Sequence, residues 1–247
     1  MLNEHTPFNI TRELHLHKRW GKNTLLNQFQ EFKKGKQTLD EFTLSLSRLQ
    51  NASYWKSDDY SAQDFQKFLK SKNLSPSSYQ SLVTSILEYD KFRAAKKESG
   101  AKFPINITSY PLFKKWYPNE HFIFLGRDPL TMAFSQFNKH KTNSFSKRIV
   151  MLLHVASMFN ATILWGKIFK PKNSLFIRYE SFKTNKEEVI KKVCQFLNIE
   201  FHKQMTDLPI LGSRMQKNSN DFILKYWERI LLKLLTFPFR SIYLKSN

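Results

Sequence analysis

The stretch HFIFLGRDP, residues 121–129, decides the fold. Its first six residues are a short, nearly continuous apolar run, the pattern of a strand buried in a parallel sheet. The run ends at Gly126 and Arg127. Asp128 and Pro129 are then a good N-cap and first helical residue, opening a helix through Leu130, Met132, Ala133 and Phe137. A second unit of the same kind starts at SLFIRY, residues 174–179. Behind it Thr184 and Glu187 have the spacing of a capping box, and Val189, Ile190, Val193, Cys194 and Leu197 form an apolar helical stripe. Strand, turn and helix, twice over, predict an α/β protein with a parallel sheet flanked by helices.

Upstream the pattern differs. From about Asn23 to Gly100, apolar residues recur at three- or four-residue steps: Leu25, Phe29 and Phe32, then Leu39, Phe42, Leu46 and Leu49, then Tyr79, Leu82, Ile86, Tyr89 and Phe92. These are core faces of successive helices. Breaks fall at Gly35, over 51–59 and over 73–78, where Ser75 before Pro76 reads as a helix start. The chain reads as one domain over 1–247, with a mainly helical part over 1–100 and an α/β part over 101–247.

Composition narrows the function classes. Forty Lys and Arg against twenty Asp and Glu give a net charge of +20, which favours phosphate, sulfate or polyanion partners. The same richness in Lys, Asn, Phe and Ile also arises from AT-rich coding sequence, so charge alone assigns no partner. A single cysteine, Cys194, excludes an internal disulfide framework and fits a reducing compartment. The most apolar segment, 149–165, carries His154, Ser157 and Asn160 and reads as a buried helix rather than a membrane span. The first residues have no signal-peptide run, so a cytoplasmic protein without a transmembrane segment is the expectation. No zinc-type ligand spacing, nucleophile elbow or dinucleotide-binding glycine pattern occurs.

Arg127 stands at the carboxyl end of the first strand, where open α/β sheets place their ligands, and the free amides of the next helix face the same crevice. Ser135, eight residues on, can join that guanidinium on one phosphate group. An arginine at a strand tip also pairs commonly with a carboxylate, so the spacing leaves both roles open.

Residues 102–104 (KFP), 116–129 (WYPNEHFIFLGRDP) with Ser135, and LFIRYESF at 175–182 followed by FLN at 196–198 resemble the central stretch of the sulfotransferase family. LGSRM at 211–215, followed by Trp227, resembles the family's C-terminal loop and helix. The resemblance implies a nucleotide-kinase-like P-loop fold and transfer of a sulfuryl group from 3'-phosphoadenosine-5'-phosphosulfate (PAPS) to a hydroxyl or amine, with carbohydrates among the acceptors. It implies no metal and no nucleic-acid partner. Arg127 and Ser135 would hold the 3'-phosphate, and Tyr179 would sit near the adenine, its other reading being a half-buried core tyrosine. Lys102 would neutralise charge on the moving sulfate, or stand as a solvated lysine. Ser213 and Arg214 would belong to a loop closing over the nucleotide, or to a surface turn.

The sequence departs from the family at its first strand and phosphate-cradling loop, expected about a hundred residues before Arg127. Gly21-Lys-Asn-Thr24 is the nearest string, but no apolar strand leads into it. On that reading Met1 falls just downstream of the loop, and a truncated or degenerate, non-catalytic relative is the first alternative. A basic polyanion or nucleic-acid binder is the second. Glu13, His15, His17 and His121 are present as acid/base groups, His121 inside the strand, but none has a supporting motif, so no catalytic residue is assigned.

Overall fold

The computed structural model describes residues 6–11, 24–49, 61–102, 105–140, 142–207 and 224–245. Contacts divide the chain into two compact units, Met1–Ser109 and Tyr110–Asn247.

In the first unit, strand β1 (Phe8–Thr11) pairs in parallel with β2 (Glu98–Ala101), Phe8 opposite Glu98 and Thr11 opposite Ala101. Among its described residues the crossover between them carries α1 (Leu25–Lys33), α2 (Leu39–Ser45), α3 (Ala62–Ser71) and α4 (Tyr79–Arg93). Their apolar stripes meet as aromatic contacts. Phe29 lies edge-on to Phe42 at 6.1 Å, Phe32 stacks on Phe42 at 5.1 Å, and Phe65 and Phe68 pack on Tyr89. Gly35, at φ 73°, ends the first turn of chain after α1, a conformation glycine adopts without a Cβ clash. Helix α4 starts at Tyr79, not at Pro76. Ser78 accepts the Ser81 N–H at 3.1 Å while the Ser81 hydroxyl accepts the Ser78 N–H at 2.9 Å, and this reciprocal cap outcompetes the Ser75–Pro76 start.

Strands β1 and β2 are elements the sequence reading missed, and in β1 the reason is visible. Its face toward the core carries Asn9, whose amide donates to Asp90 Oδ2 at 2.6 Å and to the Asp90 carbonyl at 3.2 Å, both residues being buried. A buried polar pair stands where an apolar alternation would have marked the strand.

The second unit opens with α5 (Tyr110–Trp116) and continues with β3 (Phe122–Gly126), α6 (Pro129–His140) and α7 (Phe145–Ile163), the last running into a π-helical turn, Leu164–Ile168. Strand β4 (Ser174–Arg178), the short α8 (Ser181–Thr184), α9 (Lys186–Phe196) and α10 (Tyr226–Leu244) complete it. β3 and β4 pair in parallel and in register, Phe122 opposite Ser174 through Gly126 opposite Arg178. The expected α/β class with parallel strands is therefore present, as two separate pairs among the described residues. The strand is less enclosed than its apolar run suggested: Phe124 and Gly126 are buried, while Ile123 and Leu125 on the opposite face are exposed. His121 precedes β3 rather than lying within it, exposed and edge-on to Phe196 at 5.0 Å.

The helices pack on β3 and β4 because Gly166 has no side chain, a Cβ there falling 2.8 Å from Phe176 and 2.9 Å from Phe124. Ala133 and Phe137 of α6, Leu152, Val155 and Ala156 of α7, and Leu232 of α10 form one core cluster with Leu224. The Thr184–Glu187 box does not form. Thr184 is consumed by α8, and α9 starts behind Asn185, which makes no side-chain cap. Asn198 takes φ 52° after α9, the left-handed helix end that asparagine tolerates best after glycine.

Helix α7 with its π turn, Phe145–Ile168, has a mean hydropathy of 1.6 in its most apolar window, enough by length and composition to cross a membrane, and one-third of that window is buried. Its inward stripe includes a charge. Arg148, 2% exposed, donates through Nε and Nη2 to both oxygens of Glu228, the Nη2 contact at 2.6 Å, and lies 4.3 Å over the Phe137 ring. Glu228 Oε2 also accepts the Lys225 N–H at 2.7 Å at the start of α10. This pair ties α6, α7 and α10 together. Arg148→Ala or Glu228→Ala strands a buried charge and is expected to cost about 3–5 kcal/mol in urea unfolding, with the double variant Arg148→Met/Glu228→Leu losing much less. Equal losses in all three would show that shape rather than charge pairing holds the helices.

Candidate functional site

The site is built by the parallel register. Gly126 faces Arg178, so the chain leaves β3 and β4 in step, and the Tyr179 N–H donates to the Gly126 carbonyl at 2.7 Å, extending the ladder by one bond. Arg127 and Tyr179 thus become neighbours. The Arg127 guanidinium lies 4.7 Å over the Tyr179 ring, and Lys183 Nζ approaches the same ring at 5.7 Å. Cation over aromatic face is an attractive pairing that holds the guanidinium without a carboxylate. Arg127 Nε is buried with no hydrogen-bond partner, so a strong donor is available at the strand tip.

Asp128 does not oppose an anion there. Its Oδ1 accepts the Thr131 N–H at 3.1 Å, capping α6, and its Oδ2 lies 3.7 Å from Arg240 of α10. The Asp128 N–H donates to Glu180 Oε1 at 3.0 Å, and Glu180 Oε2 accepts the Tyr243 hydroxyl. Burial, reinforced by the Glu180 carboxylate, pushes the Tyr243 phenol well above its ordinary value, so it stays protonated and donating. Arg178 lies 4.9 Å over the Tyr243 ring. One carboxylate therefore joins the turn after β3 to the C-terminal helix.

The other sequence-derived residues are placed as follows. Ser135 is half-buried on α6, seven residues after the Asp128 cap and so on the same face, about 10 Å further along the axis at 1.5 Å per residue. Lys102 is exposed directly after β2, at the end of the pair from which β1 also exits. Ser213 and Arg214, like Glu13, His15, His17 and residues 21–23, lie outside the described residues. Thr24 is described. It accepts the Asn27 N–H at 3.2 Å and caps α1, so a parallel strand lies upstream of the 21–24 string and a helix begins directly after it. β1 ends at Thr11, and residues 12–23 between it and Thr24 lie outside the described residues.

Sequence reasoning assigned no role to Arg178, Glu180, Lys183, Arg240 and Tyr243. Glu180 and Arg178 stood inside the quoted LFIRYESF run, which was signal enough to include them. Arg240 and Tyr243 reach the site only through the packing of α10, and no local pattern marks them. Among the described residues no group of three or more His, Cys, Asp or Glu side chains gathers as a metal site.

An α/β chain with a guanidinium-bearing strand tip beside a capped helix is the class that fold and site define. A profile of the sulfotransferase family matches residues 1–203, and the chain belongs to that family. Among solved structures, a sulfotransferase domain from the curacin biosynthetic pathway aligns over 92% of this chain and 87% of its own, at 18% identity and a TM-score of 0.48. No curated protein matches the chain.

The tip depends on close packing at Gly126, where a Cβ would fall 2.6 Å from Phe176 and 3.1 Å from Tyr243. Gly126→Ala is expected to lose about 1–3 kcal/mol, read as a lowered thermal midpoint. An unchanged midpoint would mean that the Phe176 ring rotates aside freely.

Proposed function

We propose that this chain is a sulfotransferase that uses PAPS as donor and a hydroxyl or amine as acceptor, with a carbohydrate as the favoured acceptor class. The observation that carries the reading is Arg127, whose buried Nε has no hydrogen-bond partner and whose guanidinium lies 4.7 Å over the Tyr179 ring at the end of β3. That group fits a phosphate ester better than a carboxylate-paired structural arginine would. Arg127 and Ser135 bind the 3'-phosphate, and the Tyr179 ring borders the base. PAPS, when bound, supplies an activated sulfuryl group. On this reading the resemblance assigns Lys102 to charge neutralisation on the moving sulfate and Ser213 with Arg214 to nucleotide binding.

Membership of the family from residue 1 onward, together with β1 before and α1 after Gly21–Thr24, favours the enzyme over a non-catalytic relative. The Gly21–Thr24 string still lacks the glycine-rich turn that lets backbone amides approach a phosphate. The free backbone amides at the start of a helix capped by a hydroxyl, as α1 is by Thr24, are suited to meet phosphate. A buried, reduced Cys194 fits a cytoplasmic setting. On this reading α7 is a core helix rather than a span, because α6 and α10 occupy its inward stripe and Arg148 is paired there.

The test is calorimetric titration with 3'-phosphoadenosine-5'-phosphate at two salt concentrations. Micromolar affinity, about −8 kcal/mol, is expected for the native chain. Arg127→Ala should weaken it by about tenfold or more, and Ser135→Ala less, since a charged donor contributes more than a hydroxyl. Native-level binding by Arg127→Ala would remove the site assignment, and no binding by the native chain would favour the degenerate relative.

A further inference from the structure

Helix α10 carries a second feature that the nucleotide reading leaves unused. At 100° per residue, Tyr226, Ile230, Leu234, Phe237, Ser241 and Leu244 fall within one sector of about 80° on its outer side. The apolar members are exposed, Tyr226 at 81%, Leu234 at 68% and Phe237 at 74%. This stripe runs the length of a nineteen-residue helix whose inner side, Leu231, Leu232 and Leu235, is packed in the core. At its start Trp227 meets the exposed Phe145 ring at 5.2 Å, adding aromatic surface beside Tyr226.

The charges around the stripe are all of one sign. Arg229 and Lys233 flank it, and Lys225 and Lys245 stand at its two ends, all exposed. The helix has one acidic residue, Glu228, and that carboxylate is turned inward onto Arg148. No carboxylate of α10 therefore faces outward.

We propose that this face of α10 docks, lying flat, on an anionic lipid surface. An apolar stripe with flanking cations is the pattern of a helix that rests in the headgroup region. An exposed apolar strip of this length marks an interaction site rather than ordinary surface. A second copy of the same helix has no carboxylate to set against Arg229 and Lys233, so self-association would oppose like charges. The sector also offers few directional groups, only the Tyr226 and Ser241 hydroxyls, which suits a fluid surface better than a shaped protein groove. The proposal is independent of the sulfotransfer reading, since none of these side chains belongs to the Arg127 site.

Co-sedimentation of the full chain with vesicles tests it. The native chain is expected to pellet with vesicles of equal parts phosphatidylcholine and phosphatidylglycerol and much less with phosphatidylcholine alone. Because a +20 protein has a general attraction to anionic lipid, the decisive variant keeps the charge: Leu234→Ser/Phe237→Ser should lower the partition coefficient about tenfold or more. Arg229→Gln/Lys233→Gln should lower it about fivefold per cation. Lys191→Gln/Lys192→Gln, on α9, should lower it far less. Circular dichroism and the thermal midpoint verify that these surface variants fold, with Leu234→Gln as a milder replacement if the serine pair does not. No pelleting by the native chain overturns the proposal, as does native-level pelleting by the folded Leu234 and Phe237 variant. A dimer of the native chain that the same substitutions dissociate would also overturn it, assigning the face to a second copy.

Discussion

Parallel strands in register impose the constraint on which the candidate site depends, because they bring two chain exits to the same level. With Gly126 opposite Arg178, the next residues, Arg127 and Tyr179, must meet, and the Tyr179 N–H bond to the Gly126 carbonyl fixes how closely. The absence of a Cβ at Gly126 then lets Phe176 and Tyr243 fill the space beneath. Tyr243 in turn reaches Glu180, which holds the amide of Asp128 and so the first turn of α6. A guanidinium on a tyrosine face, a capped helix and a carboxylate brace all follow from one pairing register and one missing methyl group.

Glu228 has a similar reach on the other side of α10. Placed at the third position of the helix, it accepts the Lys225 amide as a cap and both Arg148 donors as an ion-pair partner. A buried pair of this kind contributes little net stability over a well-packed apolar pair, but it fixes which faces meet. It also withdraws the only acid of α10 from solvent, leaving an outer surface with cations alone. The packing of the core and the sign of the exposed face are thus two consequences of one carboxylate.

Much of this was legible in the sequence, and the reasons for the rest are specific. β3, β4 and the Asp128 cap were readable because each is a local pattern: an apolar run, or a hydroxyl or carboxylate one turn ahead of an apolar helix. The N-terminal helices were readable for the same reason. β1 was not, since Asn9 replaces an apolar inward residue and is satisfied by Asp90, eighty-one positions away. Two local signals lost to stronger neighbours, Ser75–Pro76 to the Ser78–Ser81 cap and Thr184 to the short helix α8. At the site, Arg127 and Tyr179 stood in recognisable runs, whereas Arg240 and Tyr243 come from a helix whose docking no spacing encodes. Asn198, the last residue of the FLN run, takes the left-handed conformation that ends α9, which asparagine adopts more readily than other non-glycine residues.

The net charge of +20 looked at first like a uniform property of the composition. The structure distributes it unevenly. On α9, Lys191 and Lys192 are matched by Glu187 and Glu188 one turn away, and on α3 Lys67 is matched by Asp64. Those helices are nearly neutral surfaces, for which exposed pairs supply solubility and little stability. On the outer face of α10 no carboxylate of that helix stands beside Arg229 and Lys233, although the coding bias that enriches lysine would act on every helix alike. A compositional origin accounts for the number of lysines and arginines but not for the places where their partners are missing. The outer side of α10 is such a place, an apolar helix face suited to an anionic surface.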